Sequence, residues 1–430
     1  MTASLPCTVQ KSDFRGWTAY RLENGLINLV AVPDIGGRIM AYDLGPYSYL
    51  FVDPDLAGKL FTATENRGDG SLAAWKNYGG DKTWPSPQGW DNDQQWHGPP
   101  DPILDTGRYK LAALEGNGEK ALLRMVSPAD IKTGVEISRQ FTIGQGSSRV
   151  GLELAFTNVL DKPIRWSIWD VVQLRAEYRT PDGKMAFDPN SFVTVPLNPQ
   201  SCFPRGYNVM FGEEDNPQWQ IDEQNNLFKG QYLWEIGKVG IDSPDGWIAF
   251  SQGSEGYAFV ERFTYEDGAE YPDEGVTLEC WTVGAGQVAN LDYGATEIYL
   301  METEVLSPLR TIAPGATESF AIEWGACRCT GPVIDVNEAG CVAERLQADI
   351  DGDYARLTGK FGVFDVGQLS LIWHSEGGQI IAQESLGNVD PLTAVLLDRV
   401  TPIPNGAKSV QCQVSSMKAQ NRVLAEVSLE

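Results

Sequence analysis

Alternation of apolar and polar residues along short stretches is the feature that most restricts the fold of this chain. Apolar residues occupy every second position in the stretches 150–156 and 320–324, and turn residues flank both stretches. Side chains in a β-strand repeat every two residues, so this pattern predicts half-buried antiparallel strands. The 430 residues include 45 glycines and 25 prolines that follow no tripeptide repeat, which is typical of the many turns in an all-β protein.

Composition changes near residue 330. The segment 331–340 begins with Gly331 and Pro332 and has little apolar periodicity, and short alternating stretches return after it. We therefore expect residues 1–330 to form one large β domain and residues 331–430 to form a small immunoglobulin-like β-sandwich. The best helical stretch, 337–347, is short and predicts a connecting helix.

The net charge excludes two classes of partner. The chain has 33 basic and 58 acidic residues, for a net charge of −25. Such an acidic protein is not expected to bind nucleic acid or an anionic membrane. The N-terminal residues lack the apolar stretch of a signal peptide, and no run of 18 apolar residues occurs.

The cysteines indicate a reducing compartment. Seven cysteines at irregular spacing are typical of free thiols rather than of a disulfide framework. The nearest pair, Cys327 and Cys329, lacks the spacing of a zinc site, and no glycine-rich phosphate-binding motif is present. We expect a cytoplasmic protein with no metal and no cofactor.

An aromatic and polar loop is the first candidate for a binding site. Residues 75–101 include Trp84, Trp90, Trp96 and His97 and almost no aliphatic side chain. A loop of this composition either covers a sheet or forms the wall of a ligand site. Aromatic faces beside fixed polar groups suit sugars, because CH groups pack on the rings while hydroxyls form hydrogen bonds. His97 is either an acid or base at neutral pH or an ordinary polar loop residue.

A strand with two carboxylates is the second candidate. In the stretch 296–309, Glu302 and Glu304 lie on one face of the predicted strand, about 7 Å apart. In a dry cleft, desolvation and mutual repulsion would raise a carboxyl pKa and provide an acid or a base. On a wet surface the two would be an ordinary solvated pair.

Three motifs stand out along the chain: GGRIMAYDL at 36–44, NYGGDKTWPSP at 77–87 and YLMETEVLSPLRTIAPGATESFAIEW at 299–324. They resemble the galactose mutarotase-like (aldose 1-epimerase-like) superfamily and, within it, a bacterial family of unknown function. The resemblance covers roughly the first 330 residues and implies a galactose mutarotase-like antiparallel β-supersandwich. Mutarotases carry LETQ followed by LKPGE, and METE followed by IAPGATES matches this order. The resemblance thus implies that Glu302 is the general base on the anomeric hydroxyl.

At the positions that match the two catalytic histidines of the mutarotases, this sequence has other residues. The N-x-x-HGG loop matches NYGG, which offers Tyr78, and the TNHxYFNL strand matches RWSIWDVVQL, which offers Trp169 with Asp170 beside it. A proton for the ring oxygen would then come from His97, Tyr78, Lys82 or Asp170. The alternative is a fold that keeps the sugar cleft and has lost or changed the reaction.

The alternation of side chains along one strand and two cationic residues add further candidates to the predicted binding cleft. Trp169 lies on the polar face of its strand, which is typical of a sugar platform. Arg38 and Lys82 are positioned to bind an acidic sugar or a sugar phosphate, or else to pair with the neighbouring acids Asp81 and Glu302.

Together these features predict a carbohydrate-active protein whose partner is a small-molecule sugar or oligosaccharide. The first hypothesis is an epimerase- or mutarotase-like isomerase with Glu302 and His97 as catalytic residues. The alternatives are a non-catalytic carbohydrate-binding protein and, third, a lyase or hydrolase acting on oligosaccharides. The predicted binding residues lie in the aromatic loop and the strands beside it: Arg38, Tyr78, Lys82, Trp84, Trp90, Trp96, Trp169, Asp170 and Glu304.

Overall fold

A computed structural model describes residues 5–89, 92, 94–288, 291–292, 297–416 and 421–429. Strands hold 56% of the residues and helices hold 3%, so the predicted all-β class is confirmed. The helical elements of the described chain are the α-helix Ala63–Arg67 and the 3₁₀ turns Pro33–Ile35, Pro54–Leu56 and Leu72–Ala74. None of the described helices has the length and apolar character needed to cross a membrane.

The first large sheet contains 12 strands within the described residues. Its hydrogen-bonded neighbours follow the order Thr8–Phe14, Trp17–Glu23, Ile27–Val32, Arg38–Leu44, Asp81–Ser86, Ile164–Arg175, Leu300–Leu306, Leu278–Thr282, Gly237–Ile241 and Asn208–Phe211. Two short strands complete it: Tyr47–Ser48 beside Arg38–Leu44, and Arg310–Ile312 beside Ile164–Arg175.

The second large sheet contains 10 strands within the described residues. Their order is Trp219–Asp222, Leu227–Gln231, Ser191–Pro196, Trp247–Gln252, Tyr257–Phe263, Thr317–Arg328, Val150–Asn158, Val135–Gly144, Lys120–Val126 and Lys110–Gly116. Two further pairs of short antiparallel strands join Glu177–Arg179 with Met185–Phe187 and Gln287–Val288 with Leu291–Asp292.

The two large sheets pack face to face around one apolar core. Tyr42 of the first sheet contacts Phe259 and Trp324 of the second, with ring centroids 5.9 and 5.8 Å away. Burial alternates along Val150–Asn158, as the sequence pattern predicted. By contrast, Ile164–Arg175 is buried on both faces over most of its length. One face of that strand enters the core, so a second buried environment has to cover the other face.

The last hundred residues form two four-stranded sheets within the described chain. One contains Asp335–Val336, Gly340–Asp351, Tyr354–Val363 and Val395–Pro402, and the other contains Ile380–Val389, Gly367–His374, Ser409–Ser416 and Arg422–Ser428. These sheets have their own core, but Cys327, Val333 and Phe364 belong to a further apolar cluster that joins both parts of the chain. The domain boundary at residue 330 therefore stays a prediction.

The predicted helix over 337–347 is wrong. Gly340–Asp351 is a strand that pairs with Tyr354–Val363, and the register shifts twice between Val342 and Gln347. Each shift displaces the alternation by one position, so the apolar residues no longer follow a period of two.

Candidate functional site

Five neighbouring strands of the first sheet form the floor of the candidate site. In spatial order they are Asp81–Ser86, Ile164–Arg175, Leu300–Leu306, Leu278–Thr282 and Gly237–Ile241. One set of alternating side chains enters the core between the large sheets. The other set carries charged, amide and indole groups, because successive strand residues point to opposite faces. Gln173, Glu302, Trp281 and Lys238 are direct cross-strand neighbours and form one row on this polar face.

A cavity of about 160 Å³ opens on the polar face. Its lining includes the indole rings of Trp75, Trp84, Trp169 and Trp281 together with the carboxyl group of Glu302. Sites for drug-sized ligands have volumes of roughly 300–1,000 Å³. This cavity therefore matches a single small ring better than an extended chain.

The aromatic wall is held by contacts between the indoles. The ring centroid of Trp84 lies 5.6 Å from that of Trp169, 4.8 Å from that of Trp96 and 6.3 Å from that of Trp75. Trp75 donates to Asp105 Oδ2 at 2.8 Å, which fixes that ring in turn. The wall is thus packed into place before any ligand arrives, which lowers the entropic cost of binding.

Glu302 places a carboxyl group in the lining of the cavity. It is 9% exposed, its Oε1 lies 3.4 Å from Lys82 Nζ, and it accepts a hydrogen bond from Gln173 Nε2. Burial raises the pKa of Glu302, and the ammonium group of Lys82 opposes part of that rise. Burial also lowers the pKa of Lys82. The two pKa values shift toward each other, which is the direction that an acid–base pair requires.

A second charged cluster supports the other side of the cavity. Lys238 Nζ lies 2.6 Å from Glu279 Oε2 and 3.0 Å from Glu304 Oε2, and it sits 4.5 Å from the centroid of Trp169. Trp169 Nε1 donates to Glu304 Oε2 at 2.9 Å. Burial alone would lower the pKa of Lys238, but the two carboxylates raise it. Lys238 is therefore a fixed, protonated group that orients the Trp169 ring.

Glu304→Gln is expected to flatten the pH dependence of stability. Burial raises the pKa of Glu304 from 4.5 to about 8. Its contribution to stability is therefore full below pH 4.5 and is lost as the pH rises through about 8. Urea unfolding midpoints measured across this range should fall with pH for the wild type and fall less for Glu304→Gln. An equal fall of the unfolding midpoint with pH in the two proteins would contradict the raised pKa of Glu304.

A buried ionic network lies behind the floor, in the core between the sheets. Arg139 is fully buried and bonds to Asp81 Oδ2, to the carbonyl oxygen of Gly37 at 2.7 Å and, at 3.7 Å, to Asp170 Oδ1. Thr83 donates to the same oxygen of Asp170 at 3.1 Å. Burial raises the pKa of both aspartates, against the opposing charge of Arg139. This network holds the Asp81–Ser86 and Ile164–Arg175 strands together beneath the cavity.

The structure brings several predicted site residues together. Trp84, Trp169 and Glu302 line the cavity, and Lys82 and Glu304 bind to lining groups from the same face. The shared face of Glu302 and Glu304 is confirmed, and both side chains are buried. The water-exposed alternative for this pair is therefore excluded.

Two predicted residues from strands lie away from the cavity. Asp170 neighbours Trp169 in sequence but points to the opposite face of the sheet, into the Arg139 network. Arg38 is fully buried, pairs with Asp105 and donates to the Gly79 carbonyl oxygen at 3.0 Å. The structure therefore does not place either side chain where a ligand in the cavity would touch it.

Three predicted loop residues also lie outside the lining. Tyr78 is 1% exposed and packs on Trp17, and burial raises its pKa to about 12. Trp96 packs against Trp84 and donates to Asp101 Oδ2 at 2.9 Å. His97 is half-buried and is not among the residues that line the cavity.

Trp90 lies outside the described residues.

Four site residues were missing from the sequence prediction: Gln173, Lys238, Glu279 and Trp281. The sequence does contain a signal for three of them, because Lys238 alternates with buried Val239, and Glu279 and Trp281 alternate with buried Cys280. Since successive strand residues point to opposite faces, this alternation indicates that these three side chains lie on the face opposite the core.

Comparison with solved structures gives distant similarities. A galactose mutarotase-like protein from Clostridium acetobutylicum has 11% identity and a TM-score of 0.46, covering 75% of this chain and 99% of that one. A galactose mutarotase-like protein from Lactobacillus casei has 11% identity and a TM-score of 0.43, covering 72% of this chain and 99% of that one.

A third similar structure is a TPR-domain containing protein from Parabacteroides distasonis. It has 13% identity and a TM-score of 0.44, and the match covers 72% of this chain. This chain spans 46% of the length of that protein. Among curated proteins, none matches this chain.

One family model matches most of the chain. It is described as "Domain of unknown function (DUF4380)", and the match extends over residues 18–326. This segment includes all five floor strands and the whole aromatic loop. The chain belongs to the DUF4380 family.

Proposed function

We propose that the cavity binds a single sugar ring and that the protein is a mutarotase- or epimerase-like isomerase with Glu302 as its base. One observation carries this function. A carboxyl group with a raised pKa lies among the indole rings of Trp84, Trp169 and Trp281 in a cavity of about 160 Å³. Indole faces pack against the CH groups of a sugar ring, and the carboxylate is within reach of its hydroxyls.

The proton transfers balance without any cofactor. Glu302 takes the proton of the anomeric hydroxyl while Lys82 gives one to the ring oxygen, and the bond between the anomeric carbon and the ring oxygen breaks. The carbonyl form turns about its neighbouring carbon–carbon bond and closes again, which returns both protons. Lys82 is proposed as the acid because its Nζ directly contacts Glu302 Oε1, at 3.4 Å.

A non-catalytic sugar-binding protein is the second candidate. The Lys82–Glu302 pair supports it, since buried ion pairs also occur as purely structural contacts. The volume of the cavity argues against a lyase or hydrolase that holds several sugar units at once.

Exchange NMR separates the two candidates. A solution of freshly dissolved hexose should reach anomeric equilibrium faster with the protein than without it, and the acceleration should scale with protein concentration. A sugar that binds without any acceleration would leave the binding protein as the function. A folded protein that neither binds nor accelerates would contradict both.

A further inference from the structure

The two oxygens of the Glu302 carboxyl group have different surroundings. Oε1 accepts hydrogen bonds from Gln173 Nε2 and, at 3.4 Å, from Lys82 Nζ. Oε2 accepts none within the described chain, and it is not among the buried side-chain atoms that lack a partner there. Oε2 therefore keeps accessible surface, in a side chain that is 11% exposed and lines the cavity. One oxygen is held by the protein, and the other is open to a ligand.

Gln173 is placed to hold Oε1. It lies directly opposite Glu302 on the neighbouring strand, so both side chains leave the sheet on the same face. Its backbone is fixed on the other side, because its N–H donates to the Gly80 carbonyl oxygen at 3.0 Å and its carbonyl oxygen accepts from Phe51 N at 2.9 Å. Its exposed fraction is 1%, which leaves almost no surface for a ligand. Gln173 therefore acts on a ligand only through Glu302.

A glutamate needs such a partner to present one oxygen in a constant direction. The last torsion of its side chain is broad, so an unrestrained carboxyl group rotates and exchanges its two oxygens. A hydrogen bond from a buried amide opposes that rotation. Because a misplacement of about 1 Å at a reacting group can cost about a hundredfold in rate, the orientation of the carboxyl group affects catalysis in addition to its ionisation.

We propose that Gln173 is a positioning residue that binds Glu302 Oε1 and so presents Oε2 as the oxygen that takes the proton. This inference rests on the proposed function and deepens it, since it assigns the reacting atom and the residue that orients it. Glu302 is the catalytic residue, and Gln173 acts through it.

Removal of the amide has a defined effect on the titration of Glu302. Burial raises the pKa of Glu302, and the charge of Glu304 adds to the rise. The ammonium groups of Lys82 and Lys238 oppose the rise, as does the hydrogen bond from Gln173. Without this donor the charged form of Glu302 loses a hydrogen bond, so its pKa rises further. The base then becomes active only at higher pH.

Gln173→Met tests the positioning role, because methionine has a similar length and no hydrogen to donate. At saturating sugar the rate of anomeric exchange should fall about tenfold or more while KM changes by less than about twofold, and the acid limb of the pH–rate profile should move to higher pH. Gln173→Asn keeps an amide but withdraws it by one methylene, so the same changes should appear at smaller size. Carboxyl NMR of protein labelled with ¹³C-glutamate, with the Glu302 signal assigned by Glu302→Gln, measures the pKa without any reaction.

Gln413→Met is the matched control. Gln413 is also buried, at 9% exposed, but it lies on Ser409–Ser416 in the last hundred residues. This variant should keep the wild-type rate, pH profile and Glu302 pKa. An unchanged Glu302 pKa in Gln173→Met, or equal changes in the two variants, overturns the positioning role alone. A shifted pKa in a protein whose wild type accelerates no anomeric exchange overturns the proposed function, and with it the role of Oε2.

Discussion

Glu302→Gln is expected to reduce the rate of anomeric interconversion by about a hundredfold or more. Glutamine has nearly the same shape as glutamate but cannot accept the proton of the anomeric hydroxyl. In the wild type the rate should rise with pH through the raised pKa of Glu302, and fall when Lys82 loses its proton. NMR exchange rates measured from acid to alkaline pH report both the size of the loss and the shape of the profile.

Glu318→Gln is the control for this substitution. Glu318 lies on the second large sheet, at a half-buried position outside the cavity lining. The control should keep the wild-type rate and pH profile. A Glu302→Gln protein that retains the full rate would contradict the assignment of Glu302 as the base.

Arg139→Met is expected to cost about 3–5 kcal/mol of unfolding free energy. Arg139 is fully buried between the sheets and bonds to Asp81 and Asp170. Its removal leaves two buried carboxyl groups without a cation. The loss should be larger at alkaline than at acid pH, since burial already raises both carboxyl pKa values and protonation removes their charge. Urea unfolding at both pH values measures the difference.

Arg124→Met provides the matched control for the buried arginine. Arg124 lies on the strand paired with that of Arg139, but its side chain is exposed. The same substitution should change stability there by about 0.5 kcal/mol or less. Equal losses of unfolding free energy at the two positions would contradict the stabilising role of the buried Arg139 network.

The strands and the face of the catalytic candidate could be predicted from sequence because both depend on local alternation. Glu302 and Glu304 lie two residues apart, so their shared face follows from the strand period alone. Their environment does not follow from it. The burial of both carboxyl groups depends on Lys82 and Lys238, which arrive from strands far away in sequence.

Errors in the predicted site have the same physical origin. Asp170 was grouped with Trp169 because they are adjacent in sequence, although adjacent strand residues point to opposite faces. For Arg38 and Lys82 the sequence left two alternatives open, an acidic ligand or pairing with Asp81 and Glu302. Lys82 does pair with Glu302, whereas Arg38 pairs with Asp105, which the sequence did not indicate. The partner of each buried charge depends on which strands pack together, and the local sequence pattern does not predict that packing.

A crystal structure of the protein soaked with a neutral hexose tests the central claim most directly. We expect one sugar ring against the indoles of Trp84, Trp169 and Trp281, with its anomeric hydroxyl within hydrogen-bond distance of Glu302. A ring bound elsewhere, such as in the groove between Phe211 and Gln287, with this cavity empty, would contradict it.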